Sequence, residues 1–111
     1  ACEHERVALA YELTDDSAAK TAVDDYLQVA CSATAMCAPA ARWVGDLAAS
    51  HDQWTRAVEY YERAAHAAPS AGAWLKVAEA ANRAGLISRA IHAARRADME
   101  RRQAPGPASA P

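Results

Sequence analysis

The sequence predicts an all-α protein, and three observations predict it. Alanine dominates a chain of 111 residues that has no Phe and few β-branched residues, a composition that disfavours strands and suits helices packed through small side chains. In RAVEYYERAAHAAPS, residues 56–70, the residues Ala57, Val58, Tyr61, Ala64 and Ala65 recur at spacings of three and four. That spacing builds one apolar helical face, which needs a partner surface. The pattern also repeats. Gly45, Ala57, Tyr61 and Ala64 have counterparts 33 residues on in Ala78, Ala90, Ala94 and Ala97, and 35 residues back in Ala10, Ala22, Tyr26 and Val29.

Six helices are expected, over residues 3–14, 18–31, 39–50, 53–67, 71–84 and 86–102. The first carries Leu9 and Leu13 and ends before Asp15, Asp16 and Ser17, whose side-chain oxygens suit an N-cap of the second. The second is held up by Ala22, Tyr26 and Val29. Pro39 suits the first turn of the third, where a missing N–H costs nothing. The fourth is the opening stretch, which Pro69 stops by clashing with the preceding turn. Ser70 caps the fifth, and Gly85 supplies the left-handed position that closes it. The sixth, SRAIHAARRADMERR, is polar enough on one face to end a stack. The remaining APGPASAP has nothing to bury, so the chain divides into one helical domain, 1–102, and a disordered tail or linker, 103–111.

The formal charge of −2 is unevenly spread. Residues 1–34 carry seven acids against Arg6 and Lys20, whereas 83–102 carry six Arg against Asp98 and Glu100. Such polarity is compatible with solvated helix faces, and arginines in a last turn also complement the helix dipole. It could equally steer an end-to-end contact. Nucleic acid is not expected as a partner, since the basic end lacks aromatics for base contact and the whole chain is negative. No run of about 20 apolar residues exists, so no membrane span is expected. The sequence opens without an initiator Met or an apolar signal core, and is expected to be processed or excised.

The central unit APAARWVGDLAASHDQWTRAVEYYERAAHAAPS resembles a tetratricopeptide repeat, a pair of antiparallel helices in about 34 residues. Gly45 stands where the two helices approach closely, Trp54 and Tyr61 fill bulky slots, Pro69 closes the unit, and Trp74 and Gly85 continue into the next. The resemblance implies three repeats, over 3–37, 38–70 and 71–102, stacked as a short right-handed superhelix. It also implies a concave face lined by the first helix of each pair. The groove residues so implied are Tyr11, Arg42, Asp46, Ser50, Leu75, Glu79, Asn82 and Arg83, with His4, Val7 and Ala49 beside them. The function implied is a protein-protein interaction module holding a segment of another protein. Arg42 and Lys76 suit a peptide carboxylate, as in chaperone-binding repeats, but Asp46 occupies the place of an amide there and would repel one. A basic or mixed segment fits better. The alternative is a structural segment of a longer array, docking its acidic start on another protomer's basic end.

Of the three cysteines, Cys31 ends the second expected helix and Cys37 precedes the third, across the turn SATAM. A turn of this kind could provide the Cα separation of about 4.4–6.8 Å that a disulfide needs. The text AVDDYLQVACSATAMCAPAARWVGDL resembles the clasp of Sel1-like repeats, which implies a Cys31–Cys37 bridge, although its spacing is shorter than is usual there. The other reading is free thiols buried as small hydrophobes. An oxidised pair implies an extracytoplasmic compartment, and a reduced one a cytoplasmic protein. Cys2 is open among three readings: a partner in an adjoining repeat, a bond to Cys31, or the remnant of a lipoprotein cleavage site.

No catalytic residues are expected. His4, His51, His66 and His92 form no metal-ligand spacing with the cysteines. The pairs Asp15-Asp16 and Asp24-Asp25 read as a cap and a solvated face. The serines lack a nucleophile-elbow context, and no Gly-rich phosphate loop is present. Neither a metal nor a cofactor is expected.

Overall fold

The computed structural model describes residues 2–12 and 16–103. Six helices follow one another: α1 (Cys2–Glu12), α2 (Asp16–Ala30), α3 (Thr34–Ser50), α4 (Trp54–Ala67), α5 (Ala71–Arg83) and α6 (Ile87–Gln103). There is no strand among the described residues. Of the residues expected to cap the second helix, Asp15 lies outside them and Asp16 and Ser17 fall within α2; the tail 104–111 and the side chain of Cys2 also lie outside.

Each helix packs chiefly against its neighbours in sequence. The molecule is consequently elongated, with extents of 52 × 32 × 17 Å. One continuous core runs through it. Val7 and Tyr11 of α1, Val23 and Leu27 of α2, Val44 of α3, Val58 of α4, and Trp74 and Val77 of α5 are its large members, and alanines fill the remaining contacts. Small side chains let helix axes come close, so the alanine content that favours helix also supplies the packing surface. Gly45 is the extreme case. A Cβ there would lie 2.6 Å from two ring carbons of Tyr61, so the α4 tyrosine lies flat on bare α3 backbone.

Two turns share one hydrogen-bonding scheme 33 residues apart. After α3, Asp52 N–H donates to Ala49 O at 3.0 Å and Gln53 N–H to Ala48 O at 2.9 Å. After α5, Gly85 N–H donates to Asn82 O at 3.1 Å and Leu86 N–H to Ala81 O at 2.8 Å. This is the Schellman closure of a helix, which needs a left-handed residue at its centre. Gly85, at φ 78°, adopts that conformation freely, as expected; Asp52, at φ 59°, adopts it at some steric cost. Ser70 also caps as expected, its hydroxyl accepting from Ala73 N–H at 3.0 Å.

The largest difference from the expected boundaries is at the start of the third helix. The third helix begins at Thr34, not at 39, so Pro39 is its sixth residue and Cys37 lies inside it. The reason is local. Ala35, Met36 and Ala38 are good helix formers, and the Cys37 sulfur is at bonding distance from that of Cys31, with Cα atoms 4.1 Å apart. The bridge ties the start of α3 to the end of α2, across the junction with the fewest contacts along the chain.

Candidate functional site

Three helices converge above the Tyr61 ring to form a cleft of about 350 Å³. From α3 come Asp46, Ala49 and Ser50; from α4, Trp54 and Tyr61; from α5, Lys76, Glu79 and Ala80. Helical register explains the grouping, because 46 and 50, and likewise 76 and 80, lie one turn apart on a single face.

Asp46 organises the floor. The Tyr61 hydroxyl donates to it at 2.5 Å, and Lys76 Nζ donates to the same oxygen at 3.2 Å while lying 5.5 Å from the Tyr61 ring centre. Burial pushes the Tyr61 phenol well above its ordinary range, and the hydrogen bond to Asp46 with the charges of Asp46 and Glu79 pushes it further. Tyr61 therefore stays a neutral donor at physiological pH. At the rim, the Arg83 guanidinium sits 5.2 Å from the Trp54 ring centre, a cation–π contact. Ser50 turns its hydroxyl back to Leu47 O at 2.7 Å. Glu79 makes no ion pair among the described residues.

The residues expected to line one groove are divided by the structure. Asp46, Ser50 and Glu79, with Ala49, share the cleft. Leu75 and Asn82 lie beyond Glu79 in a second, shallower groove between α5 and α6. Arg42 borders a small cavity of about 40 Å³ on the other side of Tyr61, and Arg83 covers Trp54. His4 is exposed but engaged, with Nε2 2.7 Å from the Tyr26 hydroxyl and its ring 4.3 Å from that of Trp43.

Tyr11 and Val7 require correction as groove residues. Tyr11 is 2% exposed and Val7 fully buried, because they form the apolar stripe by which α1 packs into the core. The Tyr11 hydroxyl meets that of Tyr60, whose phenol is raised by burial first and by Tyr11 next. Conversely, Trp54 and Tyr61 read in the sequence as packing residues alone, yet both line the cleft. Their apolar periodicity signals burial, and nothing in it reveals that both rings border the cleft.

Lys76 donates to Asp46 at 3.2 Å, with its side chain about half exposed. Comparison with protein-family models, with curated proteins and with solved structures found no match for this chain. The geometry of the helices and the cleft therefore carries the functional reading.

Proposed function

We propose that this chain is a protein-interaction module: three antiparallel helix pairs, stacked in the manner of tetratricopeptide repeats, that hold a segment of another protein in the cleft above Tyr61. Packing between sequence neighbours and the identical turn at a 33-residue interval support the repeat reading. The observation that carries the binding reading is the cleft itself, a concave site built from three rigid helices. Its volume is near the lower end of ligand pockets, about 300–1,000 Å³, which suits one long side chain of an extended or helical segment.

The electrostatics select that side chain. Both cations nearby are engaged, Lys76 by Asp46 and Arg83 by the Trp54 face, while Glu79 is open. A lysine or arginine of the partner fits, its stem along Ala49, Ala80 and the Tyr61 ring and its charged head at Glu79. The role is recognition, and no residue here is assigned to catalysis. The Cys31–Cys37 bridge would fix the angle between the first two helix pairs and place the protein in an oxidising compartment.

The test is a titration of labelled ten-residue peptides that are basic, neutral or acidic but otherwise alike, read by fluorescence anisotropy. The basic peptide binds most tightly, and Glu79→Gln or Ser50→Arg weakens it by about tenfold, the cost of a lost charge-assisted hydrogen bond or a blocked cleft. Equal affinity for the acidic peptide, or indifference to both substitutions, contradicts the proposal.

A further inference from the structure

The last helix pair carries a second unfilled surface. The groove between α5 and α6 encloses about 520 Å³ and is lined by Leu75, Ala78, Glu79, Asn82, Ile87, Ala90, Ile91 and Ala94. Subtracting 33 from each number gives Arg42, Gly45, Asp46, Ala49, Trp54, Ala57, Val58 and Tyr61, the corresponding face of the α3–α4 pair.

That internal face has an occupant. The α5 helix packs on α4, sets Ala73 and Ala80 against the cavities around Tyr61, and places Lys76 on Asp46. The consequence is visible in burial. Val58 is 0% exposed, whereas Ile91, its counterpart, is 49% exposed and Ile87 beside it 56%. Ala94 stands where Tyr61 fills the inner groove, so the outer one is left open as well as uncovered. Glu79 takes the place of Asp46 but has no cation on it among the described residues.

We propose that the α5–α6 groove is a docking site for an amphipathic helix of another protein, one with an alanine-rich face and a lysine or arginine aimed at Glu79. The α5 helix is the internal template for both features. A second copy of this chain is a poorer occupant. Its acidic α1–α2 pair offers Arg6 and Lys20 as described cations, and Asp25 and Asp24 already hold them at 2.9 and 3.0 Å. Its acids would also face Glu79. The inference rests on the repeat reading but not on the cleft above Tyr61, which is a separate surface apart from Glu79.

The probe is the α5 segment itself, residues 70–84, synthesised with a fluorophore and held helical by a staple on the face that carries Leu75. Saturable binding is expected, and Ile91→Asp and Ile87→Asp each weaken it by about tenfold, as loss of one buried aliphatic side chain would. Both residues are about half exposed, so the variants keep the parent circular dichroism. Glu79→Lys weakens binding too, and a Lys76→Glu peptide restores it. Ser50→Arg, which blocks the other cleft, leaves peptide binding unchanged. Absence of saturable binding up to about 1 mM, a weak limit in affinity terms, overturns the proposal, as does binding that Ile87→Asp and Ile91→Asp both leave intact. Self-association of the chain alone that Ile91→Asp abolishes also overturns it, in favour of a second copy.

Discussion

Gly45→Ala exposes the contact on which the middle helix pair depends. An added Cβ would lie 2.6 Å from Cδ1 and Cε1 of Tyr61 and 3.2 Å from Cγ, against an ordinary carbon separation of about 3.5–4.0 Å. The ring must therefore retreat by about 1 Å. It has little room, being 5% exposed and tethered through its hydroxyl to Asp46. Overpacking of this kind costs about 1–3 kcal/mol. Breaking the hydrogen bond to the carboxylate adds about 1.5–3 kcal/mol if the ring swings far enough to lose it. Against that, alanine is a better helix former than glycine by about 1 kcal/mol. The net expectation is destabilisation by about 2 kcal/mol. Urea unfolding followed at 222 nm measures it. In a Tyr61→Ala background the same substitution should become stabilising by about 1 kcal/mol, since only the helix-propensity gain remains. The α5–α6 pair shows that combination, with Ala78 and Ala94 at the matching positions. Gly45→Ala that leaves the parent chain equally or more stable would refute the close approach.

Three further outcomes follow from the same structure. Stability should fall as pH rises past about 10, the phenol pKa of the unfolded chain, because Tyr60 and Tyr61 are both raised in the fold. The unfolded chain then releases protons that the folded one retains, and each such tyrosine costs up to about 1.4 kcal/mol per pH unit until its folded pKa is reached. Urea unfolding between pH 8 and 11 should show this slope, and Tyr61→Phe should reduce it. Asp52→Gly should stabilise by about 0.5–1 kcal/mol by relieving the left-handed strain at φ 59°, while Gly85→Ala should destabilise by a similar amount in the same melts. Replacing Cys31 and Cys37 by Ser should cost less than about 3 kcal/mol, since the loop is short. The loss of hydrogen-exchange protection should concentrate in α1 and α2, beyond the junction that the bridge ties.

Legibility in the sequence follows the strength of local signals. The helices α4, α5 and α6 are readable to within a residue or so, because the apolar stripes of α4 and α5 are strong and Ser70 and Gly85 mark boundaries chemically. The start of α3 is not. Pro39 looks like a first-turn residue, yet helix persists upstream of it through Ala35, Met36 and Ala38, which favour helix. Asp52 is equally opaque, since nothing in the sequence distinguishes an aspartate forced to positive φ from one in an ordinary turn. The resemblance places Asp46, Ser50 and Glu79 together, and they share the cleft. The resemblance also places Tyr11 in the groove, but equivalence of position does not fix which face of α1 is buried. The open α5–α6 groove needed the structure, for it arises from a missing neighbour and not from any motif.

The central claim is that a partner's basic segment seats above Tyr61. Amide chemical-shift mapping with the basic ten-residue peptide tests it most directly. Shifts concentrated at Ser50, Glu79 and the Trp54 indole are the expected result. Shifts scattered over the surface, or gathered around Arg6 and Leu9 on the first helix pair, would contradict it.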